Sequence, residues 1–247
     1  MKIKLIKNKK IFFLDNIILH RYKKKIDYVF NWMKKLNFKK PCIVDVGGCI
    51  GMYSVVYSNL YSSGKIYTFE PLKKNYDQLK QNLKFNKCNN VSVFNLGLSD
   101  KKKSTFIGIP DASFNKRYKS NINDGLYSIY SKKKTSLIKL DKLDHIIRKK
   151  KIKKVDFIKI DVEGAEYEVL KGSEKLIKKN HPVIQLEFNE LTKKLGNKDI
   201  IYFKNFAKKF NYKIFYLVKN YKIKKKINEK KDFFSDLILI NKSNELI

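Results

Sequence analysis

Arginine is nearly missing from this sequence: Arg21, Arg117 and Arg148 are three among 56 basic residues, against 23 acidic ones. A formal charge of +33 would ordinarily point to nucleic acid. The guanidinium is, however, the group best shaped for bidentate phosphate and guanine contacts, so nucleic acid is not the favoured partner. Alanine is reduced to Ala112, Ala165 and Ala207, while Lys, Asn, Ile, Phe and Tyr are in excess, the coding bias of an AT-rich genome. Most of the lysine charge then forms solvated faces, and a weak contact with anionic glycans, membrane headgroups or nucleic acid is all it implies.

Other absences narrow the class further. Three cysteines, Cys42, Cys49 and Cys88, are odd in number and form no Cys-x-x-Cys pair, which argues against a disulfide framework and for a reducing, cytoplasmic setting. No Cys/His array suits zinc, since His20, His145 and His181 are isolated. The apolar stretch Ile11 to Leu19 is broken by Asp15 and Asn16, and no run approaches the ~20 apolar residues of a membrane helix, so no transmembrane segment is expected. With 43% hydrophobic residues the chain has enough apolar surface to fold.

What is present alternates. Residues 1–40 read as a basic segment followed by an amphipathic helix, Arg21 to Asn37, in which Trp32 packs. From residue 41 the pattern gives strand Cys42–Val46, helix Gly51–Leu60, strand Lys65–Phe69, helix Lys73–Asn86 and strand Val91–Leu96. An irregular aromatic and lysine-rich insertion or lid at about 101–134 carries Phe114, Arg117, Tyr118, Tyr127 and Tyr130. Helix Leu140–Lys151, strand Val155–Ile160, helix Ala165–Lys179, strand Val183–Phe188 and helix Lys198–Phe210 follow, and strands Tyr212–Val218 and Phe233–Ile240 close as an antiparallel hairpin. This predicts a doubly wound, mostly parallel α/β sheet in one domain, 41–247.

Open α/β sheets bind ligands at the carboxyl ends of their strands. There the sequence places Asp45-Val-Gly47-Gly48-Cys49-Ile-Gly51, a strand-to-helix turn whose glycines admit close backbone approach. It lacks the spacing of dinucleotide binders, and Asp45 would repel a pyrophosphate, whereas a sulfonium cofactor with an amino acid tail tolerates it. Glu70 ends the next strand about 20 residues on, where an acid takes up ribose hydroxyls. Asp161, Glu163 and Glu187 end two later strands. In one reading Asp161 or Glu187 is the general base or hydroxyl orienter and Glu163 fixes the turn or the cofactor; in another Asp161 and Glu163 cap the helix near Gly164; in a third, not favoured, all three hold a divalent ion such as magnesium.

The motifs in order, Asp45 to Gly51, FEP at Phe69 to Pro71, QNLKFN at Gln81 to Asn86, NLGLSD at Asn95 to Asp100, LDKLD at Leu140 to Asp144, KIDVEGAEYEVLKG at Lys159 to Gly172 and HPVIQLE at His181 to Glu187, resemble the FkbM family of S-adenosylmethionine-dependent O-methyltransferases. The resemblance implies a Rossmann-like class I methyltransferase fold, with Asp45, Gly47, Gly48, Gly51, Glu70 and Asn95 in the cofactor site. Asp161, Glu187 and Glu163 become the catalytic candidates, and a hydroxyl on a sugar, glycan or related small molecule the acceptor. Family members usually carry Gly-Ala-Asn where this chain has Gly47-Gly48-Cys49, which removes an amide from the cofactor turn. An RNA or DNA methyltransferase of the same fold and a non-catalytic polyanion-binding protein are the alternatives.

Overall fold

The computed structural model describes residues 2–6, 9–13, 31–110, 126–218, 222–224 and 234–244. The first part of the expected Arg21–Asn37 helix, the lid residues Phe114, Arg117 and Tyr118, and most of the basic loop before the last strand lie outside the described residues. Two short strands, β1 (Lys2–Ile6) and β2 (Lys9–Phe13), pair antiparallel where the sequence shows only a basic segment. Residues 31–35 form helix α1, and its Trp32 is 2% exposed, packed as expected.

The central sheet is built from β3 (Cys42–Val46), β4 (Lys65–Phe69), β5 (Val91–Phe94), β9 (Phe157–Ile160), β10 (Val183–Glu187), β11 (Tyr212–Val218), β12 (Lys222–Lys224) and β13 (Phe234–Asn241). Their spatial order is β12-β11-β13-β10-β9-β3-β4-β5. From β10 to β5 every neighbouring pair is parallel, and β13 enters antiparallel between β10 and β11. The expected parallel sheet with its antiparallel closing hairpin is therefore present. All four residues of β9 are buried, as a strand covered on both faces requires.

The period-2 alternation divides the core into two layers. Ile43, Ile66, Phe157 and Val183 face helices α2 (Met52–Leu60) and α3 (Lys73–Phe85), together with Trp32. Val44, Ile158, Ile160, Ile184 and Leu186 face the other side, with α4 (Leu143–Lys149), α5 (Glu166–Lys171), α6 (Glu174–Asn180) and α8 (Ile200–Lys209).

Several boundaries differ from the pattern. The helix expected from Leu140 is preceded by strand β8 (Ser136–Asp141), which pairs with β6 (Gly97–Leu98) and β7 (Lys103–Ile107) in a small separate sheet, and α4 starts at Leu143. Helix Ala165–Lys179 is two helices, broken at Gly172, where a Cβ would lie 2.0 Å from the Ser99 carbonyl oxygen. An additional short helix, α7 (Glu190–Gly196), follows β10, started by a capping box in which the Asn189 side chain accepts from the Leu191 and Thr192 N–H groups.

The LDKLD motif has structural work in this fold. The Asp144 carboxylate accepts from the N–H groups of Lys175 at 3.0 Å and Leu176 at 2.8 Å, capping α6 from a neighbouring helix. Asp144→Ala is expected to lower stability by about 1–2 kcal/mol in urea unfolding while leaving ligand affinity unchanged.

Candidate active site

The chain leaves β3 in one direction towards β4 and β5 and in the other towards β9 and β10, so the order reverses between β3 and β9. That reversal opens a crevice at the carboxyl edge, and the chemistry-bearing residues gather around it.

Asp45 is fully buried in β3, with Oδ2 accepting from Ser54 Oγ at 2.6 Å; Oδ1 has no hydrogen-bond partner among the described residues. Burial pushes its carboxyl up, against the Lys159 ammonium and the Ser54 hydroxyl, which pull it down. The glycines that follow serve packing first. At Gly47, φ is +80° and a Cβ would lie 1.8 Å from the Asp161 carbonyl oxygen; at Gly48 it would lie 2.3 Å from a Thr68 methyl. Gly51, at φ +91°, is the N-cap of α2, and no side chain caps that helix end.

Cys49 also has a positive φ, +48°, a conformation that asparagine tolerates better than cysteine. Its N–H donates to Glu70 Oε2 at 2.8 Å, and its thiol, pushed up by burial and by Glu70, is not a reactive thiolate. The Asn75 amide lies 3.9 Å from the Cys49 sulfur, so α3 supplies an amide beside the turn.

Glu70 is 5% exposed, and its Oε1 takes the Leu72 N–H at 2.9 Å. Asn95 is exposed, with its amide donating to the carbonyl oxygens of Glu70 and Pro71. It therefore holds the loop that carries Glu70.

Asp161, Glu163 and Glu187, separated in sequence, place one carboxylate oxygen each within 4.8 Å of one another. The turn that achieves this has Glu163 at φ +54° and Gly164 at φ +107°. Four contacts hold it. Glu166 accepts the N–H groups of Val162 and Gly164, and Ser128 Oγ donates to the Glu163 carbonyl at 2.6 Å. Gly196, ending α7, lies backbone to backbone against Gly164, where a Cβ would meet the Gly164 oxygen at 2.0 Å. Within the expected lid, Tyr127 packs against the small core of Leu72, Ile107, Ile138 and Leu140.

Lys159, Glu166 and Ser128, which bond the Asp161 to Gly164 turn, were missed by the pattern reading. Lys159 had a signal: a lysine in the middle of a four-residue apolar strand, two positions before an aspartate, must be buried and paired. The histidines stand elsewhere. His145 bonds Asp141 at 2.8 Å, and His181 is the left-handed C-cap of α6. His20 lies outside the described residues.

Glu70 and Glu166 are both pushed up to about 7, chiefly by burial. Their folded values lie above the unfolded one, so between roughly pH 4.5 and 7 the folded chain binds more protons and stability falls as pH rises. Each contributes on the order of 3 kcal/mol to that loss. The urea midpoint of Glu166→Gln, measured against wild type, is therefore expected to move in the variant's favour between pH 5 and pH 8.

A parallel sheet reversing at β3 and β9, with an antiparallel strand between its last two long strands, a glycine turn after the first core strand and an acid ending the next, defines a class I methyltransferase. The methyltransferase FkbM domain matches residues 45–214. This chain belongs to that family. It is 30% identical over 155 residues to the methyltransferase sdnD of Sordaria araneosa, covering 53% of this chain and 60% of that protein. A second relative, methyltransferase 1 of Beauveria bassiana, is 27% identical over 152 residues, covering 53% and 57%. The match thus spans little more than half the length of these relatives. Among solved structures, a methyltransferase FkbM from Methylobacillus flagellatus KT superposes with a TM-score of 0.54 at 16% identity, covering 81% of this chain and 43% of that one. An O-methyltransferase from Bacillus cereus, solved with SAH, gives 0.51 at 13% identity, covering 92% of each. At those identities the likeness is one of fold.

Proposed function

We propose that the chain is an S-adenosylmethionine-dependent O-methyltransferase acting on a hydroxyl of a sugar, glycan or related small molecule. The observation that carries this reading is the convergence of Asp161, Glu163 and Glu187 beside the glycine turn. The turn itself fits the cofactor. The first N–H groups of α2 have no side-chain cap, and Glu70, which takes one backbone N–H on each oxygen and a further side-chain bond from Asn75, keeps acceptor capacity for ribose hydroxyls. Asp45, Gly47, Gly48 and Gly51 shape the turn, and Asn95 fixes the Glu70 loop.

The cofactor supplies a methyl group on a sulfonium, a good leaving group, so holding the acceptor oxygen in line supplies much of the acceleration. An unactivated hydroxyl must also lose its proton as the bond forms. Asp161 Oδ2 already accepts from the Lys159 ammonium at 2.9 Å, so Glu187 is the proton acceptor, Asp161 the orienter and Glu163 the support of the turn. The three carboxylates also have the oxygen chemistry of a magnesium site. The ammonium on Asp161 favours the metal-free route.

No described helix is long and apolar enough to cross a membrane, and the free cysteines support a cytoplasmic enzyme. The test is transfer of labelled methyl from S-adenosylmethionine to a panel of sugars and glycan precursors, with and without a chelator, beside Glu187→Gln. Transfer that resists chelation and falls at least 100-fold in the variant supports the reading. Transfer only to RNA or DNA with a steep salt dependence, or no cofactor binding at all, overturns it in favour of a nucleic-acid enzyme or a polyanion-binding protein.

A further inference from the structure

Beneath the carboxyl edge runs a second polar level. The register sets Thr68, Asp45, Lys159 and Gln185 side by side on β4, β3, β9 and β10. By period-2 alternation they share the face covered by α2 and Trp32, and all four are at most 2% exposed. The row is tied to its cover: Ser54 Oγ lies 2.5 Å from Thr68 Oγ1 and donates to Asp45, and Trp32 Nε1 donates to Gln185.

Lys159 is the one cation of this row. Its ammonium lies 2.9 Å from Asp161 Oδ2, one level up at the crevice, and 3.9 Å from Asp45 Oδ1 in its own level. The ring of Tyr53, on α2, has its centroid 4.1 Å from the nitrogen. A buried ammonium costs several kcal/mol unless it is paired, so the two carboxylates account for its being tolerated. The pairing also acts the other way. The Asp161 side chain is 23% exposed, and the ammonium, 2.9 Å away, draws its carboxylate over the crevice rather than towards water.

We propose that Lys159 is a positioning residue for methyl transfer: its buried ammonium holds the Asp161 carboxylate facing the sulfonium and offsets the charge of Asp45 beneath. The inference rests on the cofactor reading above. It makes the β9 lysine part of the machinery although it touches neither cofactor nor acceptor, and it predicts coupling to Asp161 in particular. A collapsed pocket would weaken S-adenosylmethionine and S-adenosylhomocysteine alike. Loss of an oriented carboxylate weakens the cationic ligand more than the neutral one.

The experiment is calorimetric titration of wild type, Lys159→Met, Asp161→Asn and the double variant with both ligands. Each single variant is expected to lose roughly 10-fold in S-adenosylmethionine affinity, with a smaller loss for S-adenosylhomocysteine, and the double variant to lose roughly 10-fold rather than 100-fold, because coupled sites are not additive. Equal losses for the two ligands, multiplying losses, or wild-type affinity in Lys159→Met overturn the proposal while leaving the cofactor reading intact. No binding by wild type overturns both. Where Lys159→Met alone does not fold, a folded double variant with the affinity of Asp161→Asn supports the same coupling, since replacing both members of a buried ion pair is tolerated where breaking it is not.

Discussion

Gly47→Ala is expected to lose about 2–5 kcal/mol of folding stability and all measurable cofactor binding. Two costs combine. A left-handed backbone is unfavourable for any residue with a Cβ by roughly 1–2 kcal/mol. Overpacking adds typically 1–3 kcal/mol, and here the obstacle is the Asp161 carbonyl, 1.8 Å from the added carbon, which belongs to a backbone that cannot swing aside. Against the 5–15 kcal/mol that holds a typical domain together, this is a large fraction. Urea unfolding followed by circular dichroism measures the first effect, and calorimetry with S-adenosylmethionine the second. A variant with unaltered midpoint and affinity would mean that β3 and β9 do not approach as closely at their carboxyl ends as the geometry has them.

Glu70→Ala should weaken S-adenosylmethionine roughly 100-fold, equivalent to about 2.7 kcal/mol. The substitution removes the proposed ribose acceptor and also leaves the N–H groups of Cys49 and Leu72 without the oxygens that each now bonds. Its pH dependence separates the two roles. Because Glu70 is pushed up to about 7, wild-type protein near neutrality holds a mixture of protonated and ionised carboxyl. Only the ionised form accepts from both hydroxyls. Affinity should therefore rise as pH passes upward through 7 in the wild type and stay flat in Glu70→Gln. A flat wild-type profile with an unchanged affinity in Glu70→Ala would remove Glu70 from the cofactor site.

The core strands were legible because each is a short apolar run ended by an acid or a glycine, and the order of those runs gave the parallel sheet. The roles at the strand ends were less so. The glycines of the turn read as room for a ligand, while Gly47 and Gly48 are filled from within by Asp161 and Thr68. That close approach depends on strands distant in sequence, which no local pattern reports. Strand β8 escaped notice because its alternation, Ser136 to Asp141, runs straight into a helical spacing from Leu143. Helix α7 was hidden by its length, although Asn189 and Thr192 form a readable start signal. Lys159 was lost among so many lysines, where a single buried one looks like background. Its partner Asp161 stands two positions on, but its second partner Asp45 lies on β3, and only the register sets that carboxylate beside it.

The contact between Gly164 and Gly196 limits how this chain can change. Each glycine occupies the space a side chain on the other's segment would need, so neither can be replaced unless the opposite backbone retreats. The two behave as one inherited character split across the sequence. A lineage adapting to a new acceptor therefore cannot widen the floor of the crevice by small steps at this junction. Ser128 offers no easier route, because its hydroxyl holds the Glu163 carbonyl and takes the Tyr130 N–H, so a change there disturbs the same turn.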